Sequence, residues 1–271
     1  MIPKIIHYCW FGRNPLPELA QKCIASWRKF LPDYEIWQWS EEPLNENANE
    51  NLNVNKLADK VLAFDVNSIR YTQQAYEAKK YAFVSDYARF WILYHYGGLY
   101  FDTDVEIIKP MDDIIKRGAF MGVEIPAKKG LVQQVNPGLG LAVEKMHQLY
   151  KDLLDKYATL SFLNADGTLN QTTIVTYTTA LLVKNGMRPT NDIHEVSGIW
   201  IYPYDYFNPF DDLTGKLKIT KNTRSIHWYS KTWENVHPWR IWLSRMSHRV
   251  FGTKINELRT SIGRFLKKKN I

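Results

Sequence analysis

Two aspartates, Asp102 and Asp104, directly follow the apolar segment GGLYF at residues 97–101. Residues two apart in a strand point to the same side, so these two carboxylates would repel each other. A divalent cation offsets such repulsion, because Mg²⁺ and Mn²⁺ are commonly held by one or two carboxylates together with substrate phosphates. The spacing therefore predicts a metal–diphosphate site. A solvated turn whose two acids cap a helix is the alternative that spacing alone leaves open.

The elements before the two aspartates predict how they are positioned. Apolar residues recur at helical spacing through residues 71–96, and Gly97 and Gly98 are expected to end that helix. A short strand over residues 99–101 then places both acids at its carboxyl end. In open α/β sheets this is the end where ligands bind.

The first forty residues predict a strand, a helix and a second strand over residues 2–11, 17–30 and 34–39. This is the order of a βαβ unit, which favours a mixed α/β fold. We expect one catalytic domain over residues 1–236 and a separate C-terminal extension over residues 237–271.

The extension accounts for the basic character of the chain. The net charge is +7, but residues 237–271 hold nine Lys or Arg and one acid, Glu257, so the remaining 236 residues sum to −1. A nucleic-acid surface over the whole protein is thereby excluded. Apolar residues, among them Trp239 and Trp242, recur near helical spacing, which is typical of a basic amphipathic helix on an anionic membrane. A helix packed on the domain, with a solvated basic face, is the alternative.

Cysteine content and hydropathy indicate the cellular compartment. Cys9 and Cys23 are too few for a disulfide framework, and they form no Cys-x-x-Cys pattern. The opening MIPKIIHYCWFG lacks the form of a signal peptide, and no run of about 18 apolar residues follows. We therefore expect a cytoplasmic protein, held peripherally on the inner face of the cell membrane.

Residues 82–110 carry a dense signature around the aspartates. The segment AFVSDYARFWILYHYGGLYFDTDVEIIKP resembles the pattern Ser-Asp-x-x-Arg, helix, Gly-Gly-x-Tyr-x-Asp-x-Asp of glycosyltransferase family 32. This family includes bacterial capsular-polysaccharide enzymes and fungal Golgi mannosyltransferases, and the catalytic domains of clostridial glucosylating toxins are similar. Every fixed position is present: Ser85, Asp86, Arg89, Gly97, Gly98, Tyr100, Asp102 and Asp104.

Three more segments resemble the same family. They are the opening IPKIIHYCWFG, the later YPYDYFNPF and the closing SIHWYSKTW, in which Thr232 replaces the family's Ser. The resemblance covers about residues 2–233. It implies a GT-A fold, a Rossmann-like mixed sheet flanked by helices, that binds a nucleotide sugar and Mn²⁺ or Mg²⁺.

The resemblance also implies the reaction. Family members are retaining enzymes, so we expect transfer of a sugar from a nucleotide-sugar donor to a glycan or lipid-linked saccharide acceptor. The toxin-like opening strand favours a UDP-sugar over a GDP-sugar. Synthesis of a capsular or surface polysaccharide is the expected role.

The family pattern assigns roles around the metal. Asp104 is the expected direct ligand, and Asp102 is expected to contact the donor, and the metal through water. His227 would complete the metal shell, with a structural histidine as the alternative. Asp86 and Arg89 would bind hydroxyls of the donor sugar, although their spacing of three on a helix also suits a structural ion pair.

Aromatic and amide side chains are assigned to the rest of the donor. Trp10 is expected to stack on the base and Tyr100 to offer its hydroxyl to a phosphate, with a core position as the alternative for both. Asn136 would face the donor or acceptor sugar from a turn. Trp233, together with Trp228, would belong to a loop that closes over the diphosphate and excludes water.

Two other functions would use some of these features. Haloacid-dehalogenase-like phosphatases also place Asp-x-Asp after an apolar strand, but usually near the N-terminus and with further motifs that this sequence lacks. A non-catalytic membrane adaptor would account for the basic extension. It would leave Asp86, Arg89, Asp102 and Asp104 unexplained.

Overall fold

The computed structural model describes residues 1–42, 57–128, 132–230, 243–247 and 249. Its principal helices are α1 (Glu18–Phe30), α2 (Arg70–Glu77), α3 (Tyr81–Tyr96), α4 (Asp112–Arg117), α5 (Gln148–Ala158), α6 (Ile174–Lys184) and α7 (Tyr204–Phe207). Its strands are β1 (Ile5–Cys9), β2 (Glu35–Ser40), β3 (Lys60–Ala63), β4 (Gly98–Tyr100), β5 (Val105–Ile107), β6 (Phe120–Ile125), β7 (Gln134–Val143), β8 (His194–Val196), β9 (Ile199–Tyr202), β10 (Phe210–Asp211), β11 (Lys216–Leu217) and β12 (Ser225–His227).

Eight strands form one mixed sheet in the order β3-β2-β1-β4-β7-β6-β9-β8. β1 runs parallel to both β2 and β4, whereas β7 runs antiparallel to β4 and β6. The predicted βαβ unit is therefore present, and β4 is added on the other side of β1. A separate antiparallel ribbon joins β5 to β12. The predicted mixed α/β sheet flanked by helices is confirmed.

The sheet is buried on both faces. Along β1, Ile6 and Tyr8 belong to one apolar cluster and Cys9 to the other, as the two-residue period of a strand requires. The cluster of Cys9 includes residues of α2, α3, α5 and α6, and the opposite cluster includes residues of α1, α4 and α7. Helices therefore cover each face and hold the central strands rigidly.

His7 is the polar exception in the middle of β1. It is fully buried, its Nε2 donates to the carbonyl of Gly97 at 2.9 Å, and its Nδ1 accepts from the indole of Trp39 at 3.1 Å. Because an indole N–H only donates, the imidazole must be neutral with its proton on Nε2. Burial lowers the pKa of His7 to about 4, which keeps the imidazole neutral.

The single helix predicted over residues 71–96 is in fact two helices. Lys79 adopts a left-handed conformation (φ 56°), and the amides of Lys79 and Lys80 bond back to the carbonyls of Tyr76 and Ala75. This arrangement ends α2 in the manner of a helix C-cap. A new helix, α3, begins at Tyr81 and carries the Ser-Asp-x-x-Arg segment.

The turn predicted around residues 136–138 is instead an irregular part of β7. Oδ1 of Asn136 accepts the N–H of Gly138 at 2.7 Å, and Pro137 has no N–H to offer a neighbouring strand. The pairing with β6 changes register at this point, as in a β-bulge. The strand continues through residues that resemble a turn because β7 pairs with β6 before them and with both β4 and β6 after them.

A short part of the C-terminal extension packs on the domain. Residues 243–247 are helical, Nη2 of Arg245 lies 2.9 Å from Oδ1 of Asp212, and Arg249 donates to the carbonyl of Gly215 at 3.0 Å. The predicted boundary between residues 236 and 237 and most of the extension lie outside the described residues. Within the described part of the chain, no helix has the length and apolar character needed to cross a bilayer.

Candidate active site

One cavity of about 560 Å³ gathers most of the predicted site residues that the structure describes. It opens where β1 and β4, which are parallel neighbours, both end. The start of α3, the middle of β7, the end of β12, the beginning of α6 and the loop after β1 also contribute to its walls. The predicted residues in its lining are Trp10, Asp86, Arg89, Tyr100, Asp102, Asp104, Asn136 and His227.

Arg89 lies between two of the predicted carboxylates. Its Nη2 is 3.0 Å from Oδ1 of Asp86 and 3.3 Å from Oδ1 of Asp102, and only 4% of its side chain is exposed. Tyr100 donates its hydroxyl to the same oxygen of Asp102 at 3.2 Å. The i, i+3 ion pair that the helical spacing permitted is therefore formed, and both of its members line the cavity.

Asp86 also connects α3 to α6. Its Oδ2 accepts the first backbone N–H of α6, that of Ile174, at 3.3 Å. Burial raises the pKa of Asp86 to about 6, although the adjacent Arg89 opposes this shift. The carboxylate thus holds the beginning of α6, which lines the cavity at Thr173, Ile174 and Val175.

Asp104 and His227 meet although they lie far apart in the sequence. Nε2 of His227 is 3.1 Å from Oδ1 of Asp104, and the other carboxylate oxygen accepts the backbone N–H of Ser230 at 2.7 Å. Burial opposes the charge on Asp104, but His227 and Ser230 outweigh it and hold the pKa of Asp104 well below its usual range. Burial likewise disfavours the charge on His227, but Asp104 raises the pKa of this imidazole above its usual value.

The donor set fits a hard divalent cation. Asp102 and Asp104 line the same cavity, and within the described residues Nδ1 of His227 is buried without a hydrogen-bond partner. No three His, Cys, Asp or Glu side chains of the described chain form a preformed metal cluster. A cation held by one or two carboxylates, with phosphate and water as its other ligands, does not need such a cluster.

Gly138 is required by the position of Asp102. A side chain at this residue would overlap Oδ2 of Asp102 and also crowd Oδ1 of Asn136. The missing side chain therefore makes room for the carboxylate beside β7. Asn136 and Asp102 therefore both lie close to Gly138.

The other predicted residues are distributed as follows. Trp10 is half-buried at the cavity wall and donates its indole N–H to the carbonyl of Asn14 at 2.6 Å. Tyr100 is buried and also lines the cavity. Trp228 packs away from the cavity, with its indole N–H 2.9 Å from Oε2 of Glu106. Trp233 lies outside the described residues.

Sequence reasoning missed several residues that line the cavity. Tyr229 and Ser230 lie at the cavity together with His227, whereas Trp228, which follows His227 directly, does not. Their place within the SIHWYSKTW segment was the available signal, because strand alternation ends with β12 at His227. The contribution of Ile174 had no such signal, because it depends on a tertiary contact with Asp86.

Comparison with known proteins finds a family model that matches part of this site. Residues 17–121 match the model described as a glycosyltransferase sugar-binding region containing a DXD motif. Inositol phosphoceramide mannosyltransferase 1 of Schizosaccharomyces pombe is 32% identical over 123 residues, which cover 44% of this chain and 33% of that protein. The chain therefore matches about a third of the length of this fungal relative.

Two further relatives match more of the chain. An uncharacterized glycosyltransferase of Acanthamoeba polyphaga mimivirus is 23% identical over 209 residues, which cover 77% of this chain and 76% of that protein. Among solved structures, the PaToxG glycosyltransferase is similar with a TM-score of 0.48 and 20% identity, covering 68% of this chain and 69% of that one.

The position of the aspartates at the end of β4, within a mixed sheet flanked by helices, agrees with the predicted GT-A fold. The matched residues include Asp86, Arg89, Asp102 and Asp104. The predicted resemblance is thus confirmed, since residues 17–121 match the glycosyltransferase sugar-binding region that contains a DXD motif.

Proposed function

We propose that this protein transfers a sugar, with retention, from a nucleotide-sugar donor to a glycan or lipid-linked saccharide acceptor, with the help of Mn²⁺ or Mg²⁺. A UDP-sugar is the favoured donor, and synthesis of a capsular or surface polysaccharide is the proposed role. One observation supports the proposal most: a single cavity brings Asp102 and Asp104 together with the buried ion pair of Asp86 and Arg89. A phosphatase or an adaptor would not need this combination.

Different residues of the cavity would bind different parts of the donor. Asp102 and Asp104 would hold the divalent cation, which when bound neutralises the diphosphate and makes it a better leaving group. Arg89 fixes the orientation of Asp102 and adds positive charge near the site where negative charge develops. Asp86, oriented by the same guanidinium, would accept hydrogen bonds from hydroxyls of the donor sugar.

Water exclusion and proton transfer follow from the same arrangement. Phe11, Phe83 and Ile174 give the cavity an apolar wall that limits hydrolysis of the donor. In retaining transfer by a front-side path, the bond from the anomeric carbon to the diphosphate breaks while the bond to the acceptor oxygen forms on the same face. The acceptor proton passes to the departing phosphate oxygen, so no separate protein base is needed.

A donor screen tests the proposal. We expect Mn²⁺-dependent release of nucleotide from a UDP-sugar, lost with EDTA, and a loss of at least about 100-fold in Asp104→Asn, since oxygen ligands that stabilise a leaving group contribute several kcal/mol. Asp33→Asn is the matched control, because Asp33 is exposed and precedes β2, at the opposite end of the strands. Activity that persists without metal, or in Asp104→Asn, would refute the proposed mechanism.

The site of action is part of the same proposal. We place the protein on the inner face of the cell membrane, where lipid-linked acceptors are found, through the basic extension at residues 237–271. The seven Lys and Arg of this segment other than Arg245 and Arg249 support attraction to anionic lipid. Sedimentation with phosphatidylserine-containing vesicles should decrease when residues 238–271 are removed. Equal sedimentation of the truncated protein would rule out this placement.

A further inference from the structure

Glu41 carries a buried carboxylate outside the site described above. Only 6% of its side chain is exposed, although it follows directly after β2 near the protein surface. Its two oxygens accept the backbone N–H of Gly12 at 3.2 and 3.3 Å, and Oε1 also accepts the hydroxyl of Tyr76 at 3.0 Å. Nε of Arg13 lies 3.4 Å from Oε1. These partners allow the carboxylate to stay charged when buried. Removing one of them would destabilise the fold, because a buried charge would lose a hydrogen bond.

The partners Gly12 and Arg13 belong to the loop of residues 10–17, which connects β1 to α1. Most of this loop faces the cavity, through Trp10, Phe11, Asn14, Pro15 and Pro17. The indole of Trp10 is tied to the same loop by its hydrogen bond to Asn14 at 2.6 Å. A shift of the backbone at Gly12 would therefore move the whole wall that contains Trp10.

The ring of Tyr81 also lies close to this loop. Gly12 has φ 92°, and a side chain at this position would overlap the ring of Tyr81, which itself lines the cavity. Tyr81 in turn packs against Tyr76, with ring centroids 5.5 Å apart. The loop is thus in contact at Gly12 with the carboxylate of Glu41 and close to the first residue of α3.

We propose that Glu41 is a positioning residue for the nucleotide end of the cavity. Through Gly12 it holds the loop of residues 10–17 in the shape that binds the donor, and it does not touch the donor itself. The inference rests on the proposed function in one respect, namely that the ligand of this end is a nucleotide. Holding a loop in its bound shape lowers the ordering cost of binding, so the effect is expected in affinity rather than in the chemical step.

The test compares three variants of neighbouring residues. Glu41→Ala removes the acceptor, whereas Glu41→Gln keeps a carbonyl oxygen for the N–H of Gly12. Glu42→Gln is the matched control, because Glu42 is 65% exposed and its carboxylate contacts the same Arg13 but not Gly12. Binding of UDP with Mn²⁺ is measured by calorimetry, kcat at saturating donor by nucleotide release, and exchange of the Gly12 amide by hydrogen–deuterium exchange.

Glu41→Ala should weaken UDP binding about tenfold, which is the loss expected from one charge-assisted hydrogen bond, and should leave kcat within about twofold. Its Gly12 amide should exchange faster with or without nucleotide. Glu41→Gln should restore most of the affinity, and Glu42→Gln should match the unmodified protein. If Glu41→Ala does not fold, Tyr76→Phe removes one hydrogen bond to the same carboxylate and should give a smaller loss in the same direction.

The possible failures are distinguishable. If the unmodified protein binds UDP and Glu41→Ala binds it equally well, this inference is wrong and the proposed function stands. An unchanged exchange rate of the Gly12 amide in Glu41→Ala also overturns it. If the unmodified protein binds neither UDP nor GDP, the proposed function fails, and the affinity role of Glu41 fails with it.

Discussion

Nε2 of His227 lies 3.1 Å from Oδ1 of Asp104, and this contact brings the end of β12 to the aspartate pair. Antiparallel pairing of β5 and β12 sets Val105 opposite His227. Because Val105 directly follows Asp104, this register brings His227 close to the Asp104 carboxylate. The amide of Ser230 holds the second carboxylate oxygen at 2.7 Å. The predicted metal ligand is therefore oriented by a segment that follows it by more than a hundred residues.

Replacing His227 should alter metal affinity more than the fold. We expect His227→Gln to raise the Mn²⁺ concentration for half-maximal activity about tenfold, because a contact that orients a ligand typically contributes 10–100-fold to metal affinity. Manganese titration of nucleotide release measures this shift. His95→Gln is the control, since His95 is exposed and bonds only to the carbonyl of Trp91 among the described residues. An unchanged manganese dependence in His227→Gln would show that this histidine is structural.

Truncating Arg89 should lower the free energy of unfolding far more than truncating an exposed arginine. Arg89→Ala leaves Asp86 and Asp102 without their shared partner, and breaking a buried ion pair in this way costs about 3–5 kcal/mol. Arg28→Ala, which breaks a half-exposed pair with Asp59, should cost less than about 1 kcal/mol. Urea unfolding of both variants gives the two values, and similar losses would contradict the role assigned to Arg89.

A conservative change at Arg89 separates stability from activity. Arg89→Lys keeps the charge, but a single ammonium cannot reproduce a planar guanidinium that contacts two carboxylates. We expect kcat to fall by about 100-fold while the protein remains folded, as judged by circular dichroism. Retention of most of the activity in Arg89→Lys would mean that charge alone is sufficient at this position.

Gly138→Ala tests the close approach of β7 to Asp102. The added methyl group overlaps the Asp102 carboxylate, and overpacking of this kind costs about 1–3 kcal/mol. The same substitution in an Asp102→Ser background should cost distinctly less, because the shorter side chain leaves room. The double-mutant cycle is read from urea unfolding. Equal costs in both backgrounds would mean that Asp102 is not the group that excludes a side chain at Gly138.

The stability of the fold should decrease in mild acid because of His7. The unfolded chain protonates this histidine near the usual pKa of 6.5, but burial lowers the pKa to about 4 in the folded state. The unfolded state therefore binds more protons between these values, and stability falls as the pH decreases through this window. We expect a loss of about 2 kcal/mol from this residue between pH 7 and pH 5.

Comparison with His7→Gln isolates that contribution from other titrating groups. Glutamine offers one donor and one acceptor, as the neutral imidazole does toward Gly97 and Trp39, but it does not titrate. The free energy of unfolding of the variant should therefore depend less steeply on pH between 5 and 7. Identical slopes for the two proteins would show that His7 does not cause the acid sensitivity.

Local patterns were sufficient to predict much of the fold and the site. The strand–helix–strand start of the chain, the signature around Asp102 and Asp104, and the helix carrying Asp86 and Arg89 all depend on residues close together in sequence. Helical and strand periodicity report such neighbours directly. The break at Lys79 was missed, because nothing in the apolar spacing indicates a residue in the left-handed conformation.

Residue types and short spacings within the sequence itself already predicted a DXD sugar-binding region and most of its charged side chains. Only the tertiary structure decided which partners each of these side chains contacts. Arg89 bridges Asp86 to Asp102, His227 and Ser230 hold Asp104, and Glu41 holds Gly12. These contacts join segments that are distant along the chain, and their geometry follows from strand pairing and core packing. No local pattern specifies such packing, because it depends on burial that exists only once the whole sheet has formed.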